Sequence, residues 1–380
     1  LTRNHTKSFH STIQATREYT RISTPGKIPT ALSRSIRTLS YSNQSGPEGR
    51  MTSPIQVETD IRKAGTIPSH VYYDPELYDH LRKHIFERSW QLVGNTAQLK
   101  APGHVIPFTL LEGCLDEALV LTRSNDGIAH CLSNVCTHRG TIVVEGEGHL
   151  QTLRCRYHGR RFYLDGCFKF MPEFNEAEDF PSDADNLPSL SLHEWGPFFF
   201  SSLDPMCDFG EWIRPVAERM DWLRPEKCQA HPDLSQDYLI QANWALYCDN
   251  YLEGFHVPYV HAGSLGDKLD YEQYHTEVHE WGSVQIGIAK DGEPAFDLPK
   301  GHPDYGKQIA GYYFWLFPNL MLNFYLWGIS VNIVQPIGPT TTRIIYQSYV
   351  SDASKLGEGA GSNLYRIEME DEEIVESAQK

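Results

Sequence analysis

The longest apolar run of the chain is "IAGYYFWLFPNLMLNFYLWGISVNIV", residues 309–334. It is long enough for a bilayer, but Pro318, Asn319, Asn323 and Asn332 would be costly in lipid, where every polar group has to find an internal partner. Its Tyr, Phe, Trp, Ile and Val content suits paired strands instead, so no membrane span is expected. Elsewhere the period of the apolar positions changes. Helical spacing in "DPELYDHLRKHIFERSWQLVGN" (74–95) predicts a short helix. From about 95 to 200 short strand-like runs alternate with Gly, Pro and Asn-Asp-Gly turns, as in "ALVLTR", "SNDG", "IAHCLSN", and predict a small all-β module. Helices follow at 211–224, kinked or interrupted at Pro215, and at 243–257, ended near Pro258. Strand-like runs dominate again from 270, and residues 363–380 read as a closing helix. There are no internal repeats.

The 380 residues can bury one large core or two ordinary ones. A net charge of −16 argues against nucleic acid or an anionic membrane as partner. The first fifty residues differ in kind. They hold eight Lys/Arg against Glu18 and Glu48, with 16 Ser/Thr, a net +6 that leaves residues 51–380 at −22. Basic, hydroxyl-rich and acid-poor is the composition of an organelle transit peptide, with "RSIRTLSYS" (34–42) as a plausible cleavage region. This predicts a disordered presequence and an organelle matrix, the mitochondrion before the plastid. If Met51 is the true start instead, the expected location is the cytoplasm. Eight scattered cysteines do not form a disulfide framework, and metal binding or burial suits them better.

Two stretches carry metal-ligand chemistry. In "CTHRG…CRYHG", Cys136 and His138 are followed after sixteen residues by Cys155 and His158. Cys2His2 can close a zinc tetrahedron, or two Cys and two His can hold the two irons of a Rieske [2Fe–2S] cluster. Each loop supplies one Cys and one His, the pairing a two-iron cluster requires, and that favours the second. In "NWALYCDNYLEGFHVPYVH" (243–261), His256 and His261 would lie about 140° apart on an unbroken helix. Pro258 breaks the helix between them, so both imidazoles can reach one metal. Two His and a carboxylate make the open triad of non-haem Fe(II) oxygenases.

With these motifs, "FPNLMLNFYLWGISVNIVQPIGP" (317–339) and "IEMEDEEIVESAQ" (367–379), the chain from about residue 70 onward resembles the catalytic subunits of Rieske non-haem iron oxygenases, most closely the choline monooxygenase type. The resemblance implies an α+β fold, with the all-β Rieske [2Fe–2S] domain inserted in a helix-grip catalytic domain of antiparallel sheet plus helices. The expected division is 1–50 leader, 51–94 first part of the catalytic domain, 95–200 Rieske domain and 201–380 mononuclear-iron domain. It further implies that His256, His261 and Asp371 bind the iron, that Glu253 bridges electrons between the centres, and that His158 faces it across a subunit interface in a homotrimer. Dioxygen would be co-substrate, and a ferredoxin or flavin reductase the electron donor. Family members carry a tail beyond this position, so the sequence ending at Lys380 is expected to be shortened. They also carry Trp where this chain has Arg160. A charge there would raise the cluster's potential or meet an acidic redox partner.

For a quaternary amine such as choline, aromatic faces at Tyr313, Trp315, Phe324 and Trp327 could supply cation–π attraction. Strands rich in aromatics are more often sheet core, and the same pocket could take a flat ring. Three functions follow: a quaternary-amine monooxygenase, an aromatic-ring hydroxylating dioxygenase or demethylase, or an electron-transfer protein with a dead second site.

Overall fold

Strict alternation of side chains across extended backbone organises the C-terminal half. The computed structural model describes residues 58, 60 and 62–380; the leader expected at 1–50 lies outside the described residues. Six strands, His275–His279, Gly282–Ile288, Ile309–Leu316, Leu320–Tyr325, Gly328–Gly338 and Thr341–Val350, each pair antiparallel with the next. Gln229–Ala230 and Gln236–Ile240 both add to the last of them, giving eight strands. The apolar 309–334 run is therefore two strands and part of a third, as its composition predicts. Among the described residues no helix is long and apolar enough to cross a membrane.

The two faces of this sheet differ. Tyr312, Phe314, Leu322, Phe324, Ile329 and Val331 point to one side and pack with Phe198, Phe200, Phe209 and Trp212. Burying each such side chain contributes about 1.5–3 kcal/mol. The opposite side carries Tyr313, Asn323, Tyr325, Ser330 and Asn332, which line a cavity. This period of two separates core from site.

A second, seven-stranded sheet is built from residues 91–202, ordered Gln91–Asn95, Phe198–Ser202, Ser189–Trp195, Ala129–Ser133, Glu117–Arg123, His104–Leu110, Gly148–His149. A three-stranded sheet, Leu153–Arg154, Arg161–Phe162 and Phe168–Phe170, lies beside it. Antiparallel sheets with a few helices make this the expected α+β architecture.

Five helices matter: α1 Pro75–His84, α2 Phe209–Met220, α3 Trp244–Tyr251, α4 Val257–Val260 and α5 Leu364–Gln379. Three differ from the sequence expectation. Helix α1, capped by Asp74, stops at His84 instead of running to 95, because "WQLVGN" pairs as the edge strand Gln91–Asn95 with Phe198–Ser202. Helix α2 starts on the Asp208 cap and runs through Pro215. The predicted 243–257 helix is two short ones, with a turn over 252–256 that carries Glu253 and His256. Helix α5 is tied down at its far end, where Glu376 and Gln379 accept from the backbone N–H groups of Gln241 and Asn243.

Candidate metal centres

The two Cys-His loops are built alike. In each, the glycine four residues after the cysteine donates its N–H to the cysteine carbonyl, Gly140 to Cys136 at 2.9 Å and Gly159 to Cys155 at 3.1 Å. Both glycines sit in the left-handed region, φ +72° and +73°, which a side chain would strain. The loops face one another. The His138 and His158 rings are 4.7 Å apart, and both cysteines are buried and free. The Nδ1 atom of His158 is buried without a hydrogen-bond partner. Buried polar atoms are rarely left so, and a metal would satisfy this one. Two thiols, two imidazoles and an orphaned ring nitrogen suit a [2Fe–2S] cluster held by Cys136, Cys155, His138 and His158.

Arg160 beside this loop does not do what a surface charge would. It is 2% exposed, pairs with the Asp185 carboxylate, and lies over the rings of Phe162, Phe168 and Phe180 at 5.8, 5.1 and 5.7 Å. Burial removes it from contact with a redox partner, and Asp185 pairs with it from the side. Of the two expectations for this position, contact with an acidic redox partner is corrected: the flat guanidinium is buried and packs among aromatic rings.

The second centre assembles from three elements. The turn after α3 brings His256, the end of α4 brings His261, and α5 brings Asp371. One ligand atom from each lies within 4.8 Å of the others. His261 Nε2 is 3.1 Å and His256 Nε2 3.7 Å from Asp371 Oδ1. Each ring is oriented from behind: His256 Nδ1 donates to Glu253 at 2.7 Å, and His261 Nδ1 to Glu370 at 2.8 Å. A carboxylate on Nδ1 fixes the tautomer and turns the Nε2 lone pair toward the common point. Glu370 is itself held by Ser264 and Arg366, and Asp371 accepts from Asn250 at 2.8 Å. Burial works against the Asp371 carboxylate, but the hydrogen bond and charge of His261 outweigh it and hold its pKa below the usual value. Two imidazoles and one ionised carboxylate converging with an open side suit a mononuclear Fe(II).

Beside this triad lies a cavity of about 70 Å³ walled by Tyr247, Tyr251, Tyr274, Tyr313, Tyr325 and Tyr346. Of the four aromatics expected to form the pocket, Tyr313 lines it and the other three do not. Trp315 shares its face but packs lower, with Met321 and Phe317. Phe324 points through the sheet into the core. Trp327 lies in the turn beyond the strand, stacked on Tyr325 and donating to the Gly361 carbonyl. Glu370, Asn250, Glu368 and the tyrosines of α3 were not expected. The available signal was periodic: Leu364, Ile367, Glu368 and Asp371 share one face of α5 and line the cavity together.

Comparison with known proteins identifies two domain families along the chain. The family described as Rieske [2Fe-2S] domain matches residues 89–181, and that described as ring hydroxylating alpha subunit (catalytic domain) matches 220–380. The chloroplastic choline monooxygenase of Arabidopsis thaliana is 29% identical over 348 residues, covering 87% of this chain and 79% of that protein. The carnitine monooxygenase oxygenase subunit of Escherichia coli strain K12 is 28% identical, covering 84% of each. Among solved structures, a quaternary ammonium Rieske monooxygenase with a bound inhibitor superposes with a TM-score of 0.66 at 24% identity, covering 82% of this chain and 84% of that one. Naphthalene 1,2-dioxygenase from a Rhodococcus species also reaches 0.66, at 21% identity, covering 82% and 81%.

Proposed function

We propose that this chain, which belongs to the alpha subunits of the Rieske oxygenases, uses dioxygen and externally supplied electrons to hydroxylate a small quaternary amine of the choline or carnitine kind. The observation that carries the substrate class is the cavity wall. Six tyrosine rings and the carboxylates of Glu253, Glu368 and Asp371 line it, and among the described residues no Lys or Arg does. Aromatic faces and buried negative charge attract a cation that cannot itself donate hydrogen bonds. A neutral aromatic ring would have to be desolvated against those carboxylates, which favours the amine over a ring-hydroxylating reading. The convergence of His256, His261 and Asp371 weighs against a protein that only relays electrons.

Cys136, Cys155, His138 and His158 hold the cluster in this reading, and His256, His261 and Asp371 the iron. When bound, these groups supply electron storage and dioxygen activation. The chain supplies the rest. Glu253 and Glu370 accept from Nδ1 of the two imidazoles and fix their direction, with Nε2 turned toward the iron position. Asn250 pins Asp371, and the tyrosine wall excludes water from the reacting carbon. Each turnover consumes one dioxygen, two electrons and two protons, and leaves hydroxylated amine and water.

Glu253, bonded to the iron-side His256, and His158, at the rim of the cluster, are the pair proposed to pass electrons between centres. Exposed Phe255 and Tyr259 beside the first, and exposed Tyr157 beside the second, are surfaces a neighbouring copy could cover, which supports a head-to-tail homotrimer. A ferredoxin or flavin reductase is the proposed donor. Chloroplastic relatives and the basic first fifty residues support an organelle matrix, and the relatives favour the plastid over the mitochondrion.

Oxygen uptake by the holoenzyme with a surrogate reductase tests the reading, with choline, betaine and carnitine against benzoate and naphthalene. Coupled uptake and product with one of the amines is expected. Coupling to an aromatic acid or hydrocarbon alone would overturn the substrate class.

A further inference from the structure

Glu368 sits on the inner face of α5, one turn before Asp371, and lines the cavity. It is 8% exposed. One carboxylate oxygen accepts from the Tyr247 hydroxyl at 2.6 Å and the other from the Asn332 amide at 2.8 Å. Both donors are neutral, and both are themselves built into the wall. Arg366, on the same helix, is engaged with Glu370, and no Lys or Arg among the described residues pairs with Glu368. A buried carboxylate is costly unless it meets an opposite charge.

The iron does not remove this imbalance. With Glu253, Glu368 and Asp371 all ionised, a divalent ion would leave the cavity one negative charge in excess. Burial pushes the Glu368 carboxyl up to about 7, and a bound cation would hold it ionised. The Tyr313 hydroxyl adds a second unmet group, for it lines the same cavity, is buried, and has no partner among the described residues. Such a wall is built for a ligand that brings a positive charge and a polar arm.

We infer that Glu368 is the counter-charge of the substrate: its carboxylate, fixed by Tyr247 and Asn332, holds the substrate's ammonium and selects cationic over neutral molecules of the same shape. This rests on the quaternary-amine reading and gives it a specificity-determining residue. The Glu368→Gln change keeps the side chain's size, and its amide can still accept from Asn332 and bond Tyr247, so only the charge is lost. Glu368→Asp keeps the charge one methylene further back.

Calorimetric binding to the oxidised, iron-loaded holoenzyme without reductant provides the test, with choline and its uncharged isostere 3,3-dimethyl-1-butanol as probes. Wild type is expected to prefer choline. Glu368→Gln should weaken choline at least about tenfold and leave the isostere unchanged, while Glu368→Asp retains most of the preference. Iron content and melting temperature equal to wild type show that the variant is folded and loaded; a variant lacking iron passes the decision to Glu368→Asp, which must then keep the preference. Unweakened choline binding in Glu368→Gln, or equal weakening of both probes, overturns the inference and leaves the amine reading standing. If wild type binds neither choline, betaine nor carnitine, both fall.

Discussion

Asp185→Ala should be among the most damaging single changes outside the metal ligands. The Arg160 guanidinium beside Asp185 is almost fully buried, its side chain 3% exposed against 19% for the carboxylate. Its Nε already lacks a partner, so removing the carboxylate strands a whole charge among three phenylalanines. Breaking a buried pair from one side costs about 3–5 kcal/mol. Asp185 also accepts from the backbone and hydroxyl of Ser182, capping the short turn that follows, and losing such a cap costs about 1 kcal/mol more. At about 2.1 cal/mol/K of unfolding entropy per residue, a chain of this length shifts by little over roughly 1 °C per kcal/mol, so the melting temperature should fall by about 5 °C or more. The assay is thermal unfolding of the cluster-loaded protein, followed by circular dichroism and by bleaching of the cluster's visible absorbance. Arg160→Trp added to Asp185→Ala removes the stranded charge and fills the same aromatic slot, so the double variant should recover most of the loss. A drop under 2 °C in the single variant, or a double variant no better than the single, would refute the reasoning.

Three further outcomes follow. Asp371→Ala should lower the iron content from three to two atoms per chain while the cluster's absorbance stays intact, as measured by metal analysis. Tyr313→Phe removes the unmet hydroxyl of the cavity; it should weaken choline several-fold and leave tetramethylammonium, which has no hydroxyl, unchanged by the same calorimetry. Asp304 is buried, and although burial opposes its charge, Lys307, Arg219 and Tyr312 hold its carboxyl below the usual range. A depressed folded-state pKa contributes stability above the unfolded value near 3.8 and loses it as pH falls through the folded one. Asp304→Asn removes the partner of Lys307 and the longer of Arg219's two ion pairs, while Glu277 still holds the guanidinium at 2.8 Å. It should cost about 1–3 kcal/mol at pH 7 and progressively less toward pH 3 in a denaturation series.

What could be read before folding was what is local. Each Cys-His loop closes on itself within five residues, so spacing alone pointed to a paired-loop metal site. His256 and His261 were legible as a pair, but Pro258 does not break the helix between them: it sits in the first turn of α4, and the break falls before it, over 252–256. Asp371 was not legible from its surroundings: five acids in six residues look like a solvated helix face, and only packing of α5 against the sheet turns Glu368 and Asp371 inward. The aromatic pocket failed for a related reason. Alternation places Tyr313 and Trp315 on one face, but which residues of the next strand join them depends on register. Tyr313 pairs with Asn323, so Asn323 and Tyr325 reach the cavity and Phe324 enters the core. Register is set by turns and core packing, which period-two patterning does not specify. The burial of Arg160 was not legible because a residue distant in sequence, Asp185, supplies the pairing that allows it.

The most direct measurement of the central claim is a single turnover without any reductase. Holoenzyme with cluster and iron both reduced is mixed with choline, betaine or carnitine and oxygenated buffer, then quenched for product while cluster absorbance is followed. The account predicts stoichiometric oxygenated amine from one of the three, with one cluster electron lost per product and neither event in Asp371→Ala. Cluster oxidation without product from any of them, in fully iron-loaded protein, would contradict it.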